Sequence, residues 1–142
     1  MRRRNGFRMP WVLMLGCVLL AGCAAMSQQK RLDSLEASLN NYGTAVRWGN
    51  WDTANDYRMP RKSSEKLKPM PKAELKNIRV TDYEVVQRVV SRDEKLAAVR
   101  ARVTFYDTDT GVLHTLTDRQ TWWYNEKANH WFLDGNLPDF TK

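Results

Sequence analysis

Residues 95 to 111 read KLAAVRARVTFYDTDTG, and Leu96 to Tyr106 within that stretch decide the fold. Ala97, Val99, Ala101, Val103 and Phe105 occupy alternate positions, with Arg100, Arg102 and Thr104 between them. A period of two is that of a strand with one face in a core and the other in water. Asp107-Thr108-Asp109-Thr110-Gly111 then closes the strand as a polar turn. Upstream, Ile78 and Val80, then Val85, Gln87 and Val89, repeat the alternation, and the phase slips near Thr81-Asp82, where a bulge is expected. Downstream, Val112 to Tyr124 and His130 to Asp134 supply two more strands. The joining segments, Arg92-Asp93-Glu94 and Asn125-Glu126-Lys127-Ala128-Asn129, are short and polar, so successive strands pair as antiparallel hairpins.

The half of the chain before Ile78 has a different period. Leu32, Leu35, Leu39, Tyr42 and Val46 recur at steps of three and four, an apolar stripe on a helix from Lys30 to about Trp48. Gly49-Asn50 suits a glycine-capped C-terminus, and Asp52 is placed to cap a short second helix through Ala54 and Tyr57, stopped by Pro60. Arg58 to Arg79 holds eight basic residues against two acidic ones and is broken by Pro69 and Pro71, so it reads as an irregular connector with a short helix from Lys72 to Asn77. Helices first and strands afterwards make an α+β fold: a long N-terminal helix and a short one packed on a curved four-stranded antiparallel sheet.

A chain of 142 residues holds one small domain, placed here at residues 30–142. Fifteen aromatic residues and 42% hydrophobic composition exclude a disordered protein. The formal charge of +7 is concentrated at the start, where Arg2, Arg3, Arg4 and Arg8 precede the first acid, Asp33. After them Trp11 to Leu20 is uninterrupted by any polar side chain, and Leu20-Ala21-Gly22-Cys23 puts small residues before a cysteine. A basic segment, an apolar segment and small residues at a cleavage point are the three parts of a secretory signal. The apolar run from Trp11 to Met26 is shorter than the roughly 20 residues that cross a bilayer, and it contains Gly16 and Gly22.

Leu20 to Cys23 closely resembles the lipobox of bacterial lipoproteins, with an aliphatic residue at −3, small residues at −2 and −1 and cysteine at +1. The resemblance implies that residues 1–22 are a signal peptide, that the Cys23 thiol takes diacylglycerol as a thioether before cleavage, and that the new α-amine is acylated. Residues 23–29 then form a lipidated tether. Cys17 is a weaker match because bulky Leu15 stands two residues before it. Ala24 at +2, where aspartate would retain the protein in the inner membrane, implies the outer membrane, facing the periplasm. The mature chain carries a net charge of +3 and no free thiol.

The run beginning at Lys95, followed by LTDRQTWWYNEKANHWFLDGNLPDF from Leu116 to Phe140, resembles the closing strands of the nuclear-transport-factor-2-like superfamily. Gln120-Thr121-Trp122 and Asn129-His130-Trp131 match its paired final strands, and Trp51-Asp52-Thr53-Ala54 its second helix. The resemblance implies a cone, in which a curved sheet wraps the first helix around a cavity that some members use for ligands or catalysis and others fill.

The chemistry-bearing residues are sparse. His114 and His130 lack nucleophile or metal-ligand spacing, no phosphate loop occurs, and no cofactor or metal is expected. Asp56, Asp82, Asp118 and Asp134 are candidate bases in a cone cavity, with Tyr42, Tyr57 or Tyr83 as donors, but each acid suits a cap or a turn better. Tyr42, Trp48, Trp51, Tyr57 and Trp122, with Trp123 and Trp131, either line such a cavity or close the core. Arg61, Lys62, Lys66 and Lys68 of the connector suit an anionic surface, whether lipid head groups, lipopolysaccharide phosphates or peptidoglycan carboxylates, or else form a solvated loop. The aromatics are not interleaved with these cations, so nucleic acid is not an expected partner. The function expected is a non-enzymatic binding or accessory module of the bacterial envelope, held to the membrane by lipid, with an anionic polymer or another envelope protein as partner. The alternatives are a small-molecule isomerase, dehydratase or hydrolase with a carboxylate in the cone, and a secretion or conjugation component, since an assembly factor of type IV secretion has the same cone.

Overall fold

The structure, a computed structural model, describes the backbone of residues 11–141 and the side chains of residues 26–141. Arg2, Arg3, Arg4 and Arg8, expected to open a signal peptide, and the side chain of Cys23 lie outside the described residues. The elements are helices α1 (Trp11–Arg47), α2 (Trp51–Asp56) and α3 (Lys72–Leu75) and strands β1 (Ile78–Val90), β2 (Leu96–Asp107), β3 (Leu113–Asn125) and β4 (His130–Leu133). The architecture is α+β, and the strands form one antiparallel sheet in the order β1-β2-β3-β4.

Helix α1 begins well before Lys30. Residues 23–29, read from sequence as a tether, are helical, because nothing between Cys23 and Lys30 breaks a helix and alanine, methionine and glutamine favour one. From Leu35 onward the predicted stripe is buried: Leu35, Leu39, Tyr42 and Val46 face the core. The helix ends in a Schellman motif. Gly49 adopts φ +68° and donates to Val46 O at 3.1 Å, and Asn50 donates to Ala45 O at 2.8 Å.

Asp52 does not cap α2. Asn50 already stands at the N-cap, without a side-chain bond, so Asp52 falls in the first turn, where its carboxylate suits the positive helix end and lies 3.8 Å from Lys72. Both short helices stop earlier than the sequence suggested, α2 at Asp56 with Tyr57 as its C-cap and α3 at Leu75.

The sheet follows the alternation of β2: Ala97, Val99, Ala101, Val103 and Phe105 are buried, and Arg100 and Arg102 are exposed. Register shifts lie between Val80 and Asp82, where the phase slip predicts one, and again between Val85 and Gln87. Beyond β4 the chain from Tyr57 to Met59 runs beside Leu133, held by bonds from Leu133 N to Tyr57 O (2.7 Å) and from Met59 N to Leu133 O (3.0 Å). Trp122 and Trp131 are wholly buried between sheet and helix, and the Trp131 indole donates to Arg31 O of α1 at 3.0 Å. Phe140, near the C-terminus, packs edge-on against Phe105 (4.8 Å) and Trp51 (5.5 Å).

Candidate functional site

Strand register puts Asp118, Gln120 and Trp122 of β3 opposite Ala101, Val99 and Ala97, on the face of the sheet that meets the core. The small side chains of Ala97 and Ala101 leave room above β2, and the Tyr83 phenol of β1 reaches across it. Gln120 joins the three neighbours: its Nε2 donates to Asp118 Oδ2 (2.7 Å) and to the Tyr83 hydroxyl (2.8 Å), and its Oε1 accepts from Trp122 Nε1 (2.8 Å). The glycine in α1 opposite makes this possible. A Cβ at Gly43 would stand 2.7 Å from Tyr83 Cε1, so any other residue would push the ring away.

Tyr42 completes the cluster, edge-on to Trp122 (5.4 Å), Tyr57 (6.1 Å) and Tyr83 (6.3 Å). Its buried hydroxyl has no hydrogen-bond partner among the described residues. Burial pushes the Asp118 carboxyl above the usual aspartate range, against the opposing effect of the Gln120 bond. Burial raises both phenols, with the Asp118 charge adding to each and the Gln120 bond opposing the rise at Tyr83. A carboxylate that holds its proton to higher pH beside two phenols could exchange protons with a ligand. Tyr42 and Trp122, however, are both without solvent exposure, whereas Asp118 is partly exposed.

The remaining candidate acids do not join this cluster. Asp56 is exposed at the end of α2, Asp82 is exposed at the β1 bulge, and Asp134 accepts from the Arg61 backbone N–H at 3.2 Å. Nor do the five candidate lining aromatics share one cavity. Tyr42, Tyr57 and Trp122 pack on each other in the core, Trp51 is half-buried against Phe140, and Trp48 is 78% exposed because it follows the last turn of α1, past the end of the stripe. His114 stacks on Phe105 (5.5 Å) and His130 lies between Tyr57 (5.6 Å) and Phe132 (5.1 Å). Among the described residues no group of His, Cys, Asp and Glu is arranged to hold a metal.

The basic connector divides by role. Arg58 is a pin rather than a surface charge: it donates to Asn55 Oδ1 (2.8 Å), Lys68 O (2.6 Å), Gly135 O (3.1 Å) and Asn136 Oδ1 (3.0 Å), tying the start and the middle of the connector to the C-terminal segment. Arg61, Lys62, Lys66 and Lys68 are exposed; Lys62 lies 3.8 Å from Glu65, and the other three side chains have no ion-pair partner among the described residues. Lys76 and Arg79, at the far end, line a groove of about 830 Å³ together with Arg47, Trp48, Trp51 and Tyr106. Sequence reading did not find this groove, since its walls come from segments that meet only when α1 packs on β1. The one local signal is Arg47-Trp48 standing past the apolar stripe and before the helix-ending glycine.

No helix among the described residues is long and apolar enough to cross a membrane. No protein family, curated protein or solved structure matches the chain.

Proposed function

We propose that the chain is a bacterial lipoprotein, anchored through an acylated Cys23 in the outer membrane and facing the periplasm, whose domain is a non-enzymatic binding or accessory module with the cone fold of the nuclear-transport-factor-2-like superfamily. The anchor rests on Leu20 to Cys23, and the cone reading on one long helix packed against a four-stranded antiparallel meander. The observation that favours binding over catalysis is the packed interior, in which Tyr42, Trp122 and Trp131 have no solvent exposure. Binding then falls to the surface, where the exposed cations Arg61, Lys62, Lys66 and Lys68 suit an anionic envelope polymer or lipid surface. Replacing these four by Gln should lower co-sedimentation of the unlipidated domain with peptidoglycan sacculi and anionic vesicles, with unfolding unchanged because the side chains are solvated. Equal binding by the variant, or no binding by the wild type at low salt, contradicts the assignment of this loop.

A second reading, a small-molecule isomerase, dehydratase or hydrolase with Asp118 as base, is favoured by the raised pKa of that carboxyl and by the unpaired Tyr42 hydroxyl. A fragment screen by NMR that moved the resonances of Tyr42, Tyr83 and Asp118 together would favour it. Fragments that perturb only surface residues leave the binding reading in place.

A further inference from the structure

The groove of about 830 Å³ opens where the C-terminal end of α1 meets the start of β1, and no acidic residue lines it. Arg47 of α1, Lys76 of the turn after α3 and Arg79 of β1 bring positive charge to it. Arg79 is held in place by Nη1, which donates to the carbonyls of Lys76 and Ile78 at 2.9 Å each; its Nε and Nη2 make no such bond among the described residues. Trp48 at the rim is 78% exposed, an unusual state for the largest side chain, and the Arg47 guanidinium lies 6.0 Å from its ring centroid. A ligand that covers the ring therefore meets the charge as well.

Cations beside an exposed indole select an oxyanion carried on a ring with one apolar face. The groove is wide and open, so its occupant keeps a side in water, which a saccharide does with its hydroxyls and a wholly apolar ring does not. We infer that the groove binds an acidic saccharide, its carboxylate or phosphate held by Arg47, Lys76 and Arg79 and the C–H face of a sugar ring stacked on Trp48. This rests on the binding reading above but not on the lipid anchor, nor on Arg61, Lys62, Lys66 and Lys68.

Calorimetric titration of the full chain in detergent micelles tests it, with trigalacturonate, glucose 6-phosphate and neutral maltotriose as probes. An acidic probe should bind, more weakly as salt rises from 0.1 to 1 M, and maltotriose at least about tenfold more weakly still. Lys76→Gln with Arg79→Gln should lower acidic-sugar affinity about tenfold or more. Trp48→Ala should lower it about three- to tenfold, by loss of the ring contact alone. Binding of neither acidic probe, equal binding of maltotriose, or affinity untouched by Trp48→Ala overturns the inference. If the fourfold Gln variant of Arg61, Lys62, Lys66 and Lys68 abolishes binding and the groove variants do not, the anion site is the loop; the inference then fails while the proposed function stands.

Discussion

Gln120 spends its whole amide inside the domain, on Asp118, Tyr83 and Trp122, and so leaves Tyr42 as the polar group of the cluster without a partner. An orphaned buried hydroxyl costs about 1–3 kcal/mol. Tyr42→Phe removes it without changing the ring packing, and we expect urea unfolding to show unchanged stability or a gain of up to about 1 kcal/mol. A loss beyond about 1 kcal/mol would mean that a water or ligand satisfies the hydroxyl. Asp118 gives a pH signature. Its pKa is higher folded than unfolded, so the folded chain holds the proton longer, and stability falls as pH rises from the ordinary aspartate value of about 3.9 through the raised folded value. Asp118→Asn removes this dependence. The difference between wild-type and variant stability should therefore change across that interval and level off above it; a flat difference would show that the carboxyl is not desolvated in the folded state.

Among the elements, β2 and β3 set like charges directly opposite each other: Arg100 faces Arg119 on the exposed side of the sheet, and neither has an acidic partner among the described residues. The neighbouring Arg102 is paired with Glu84. Like charges in register destabilise a pair of strands by about 0.2–1 kcal/mol. Arg119→Thr, which extends the row of Thr115, Thr117 and Thr121 with a good strand former, should raise the unfolding midpoint at low salt, and the gain should vanish near 1 M salt. A lower midpoint, or a gain that persists in salt, would refute the repulsion. Edge strand β1 exposes Val85, Val86 and Val89, and its two register shifts interrupt the row of unpaired backbone groups that would invite another strand.

How much of this is legible in the sequence follows from the range of the forces. Alternation in β2, the stripe on α1, the glycine cap at Gly49 and the slip at Thr81 are near-neighbour effects, and each matches the structure. The stripe begins at Leu32 and marks only the buried part of α1, whereas helix propensity carries the helix farther back. Asp52 has the residue type of a cap, but the helix boundary lies two residues earlier, at Asn50, where the Schellman motif ends. Asp118 was visible only as one acid among four: its burial depends on pairing with Ala101, and the Tyr83 contact on a glycine in another element. The groove, the Arg58 pin and the Phe140 closure join residues distant in the chain and have no local pattern to reveal them.

The whole molecule packs Tyr42, Trp122 and Trp131 inside and leaves Arg61, Lys62, Lys66 and Lys68 exposed; on the proposed function, an acylated Cys23 holds it beside a membrane. Such lipid attachment would make that arrangement effectively permanent, since two or three acyl chains contribute about 0.8 kcal/mol per buried CH₂. It would also put Arg61, Lys62, Lys66 and Lys68, all exposed, within reach of anionic envelope surfaces. Without the anchor, the same charges would bind such surfaces only weakly and in a salt-dependent way. The most direct test is intact-mass and N-terminal peptide analysis of the full-length gene product extracted from membranes, alongside Cys23→Ser. The account predicts a mature chain that begins at Cys23 with two or three acyl groups, and unprocessed, unlipidated precursor for the variant. A mature N-terminus at another residue, or a Cys23 without lipid, would contradict it.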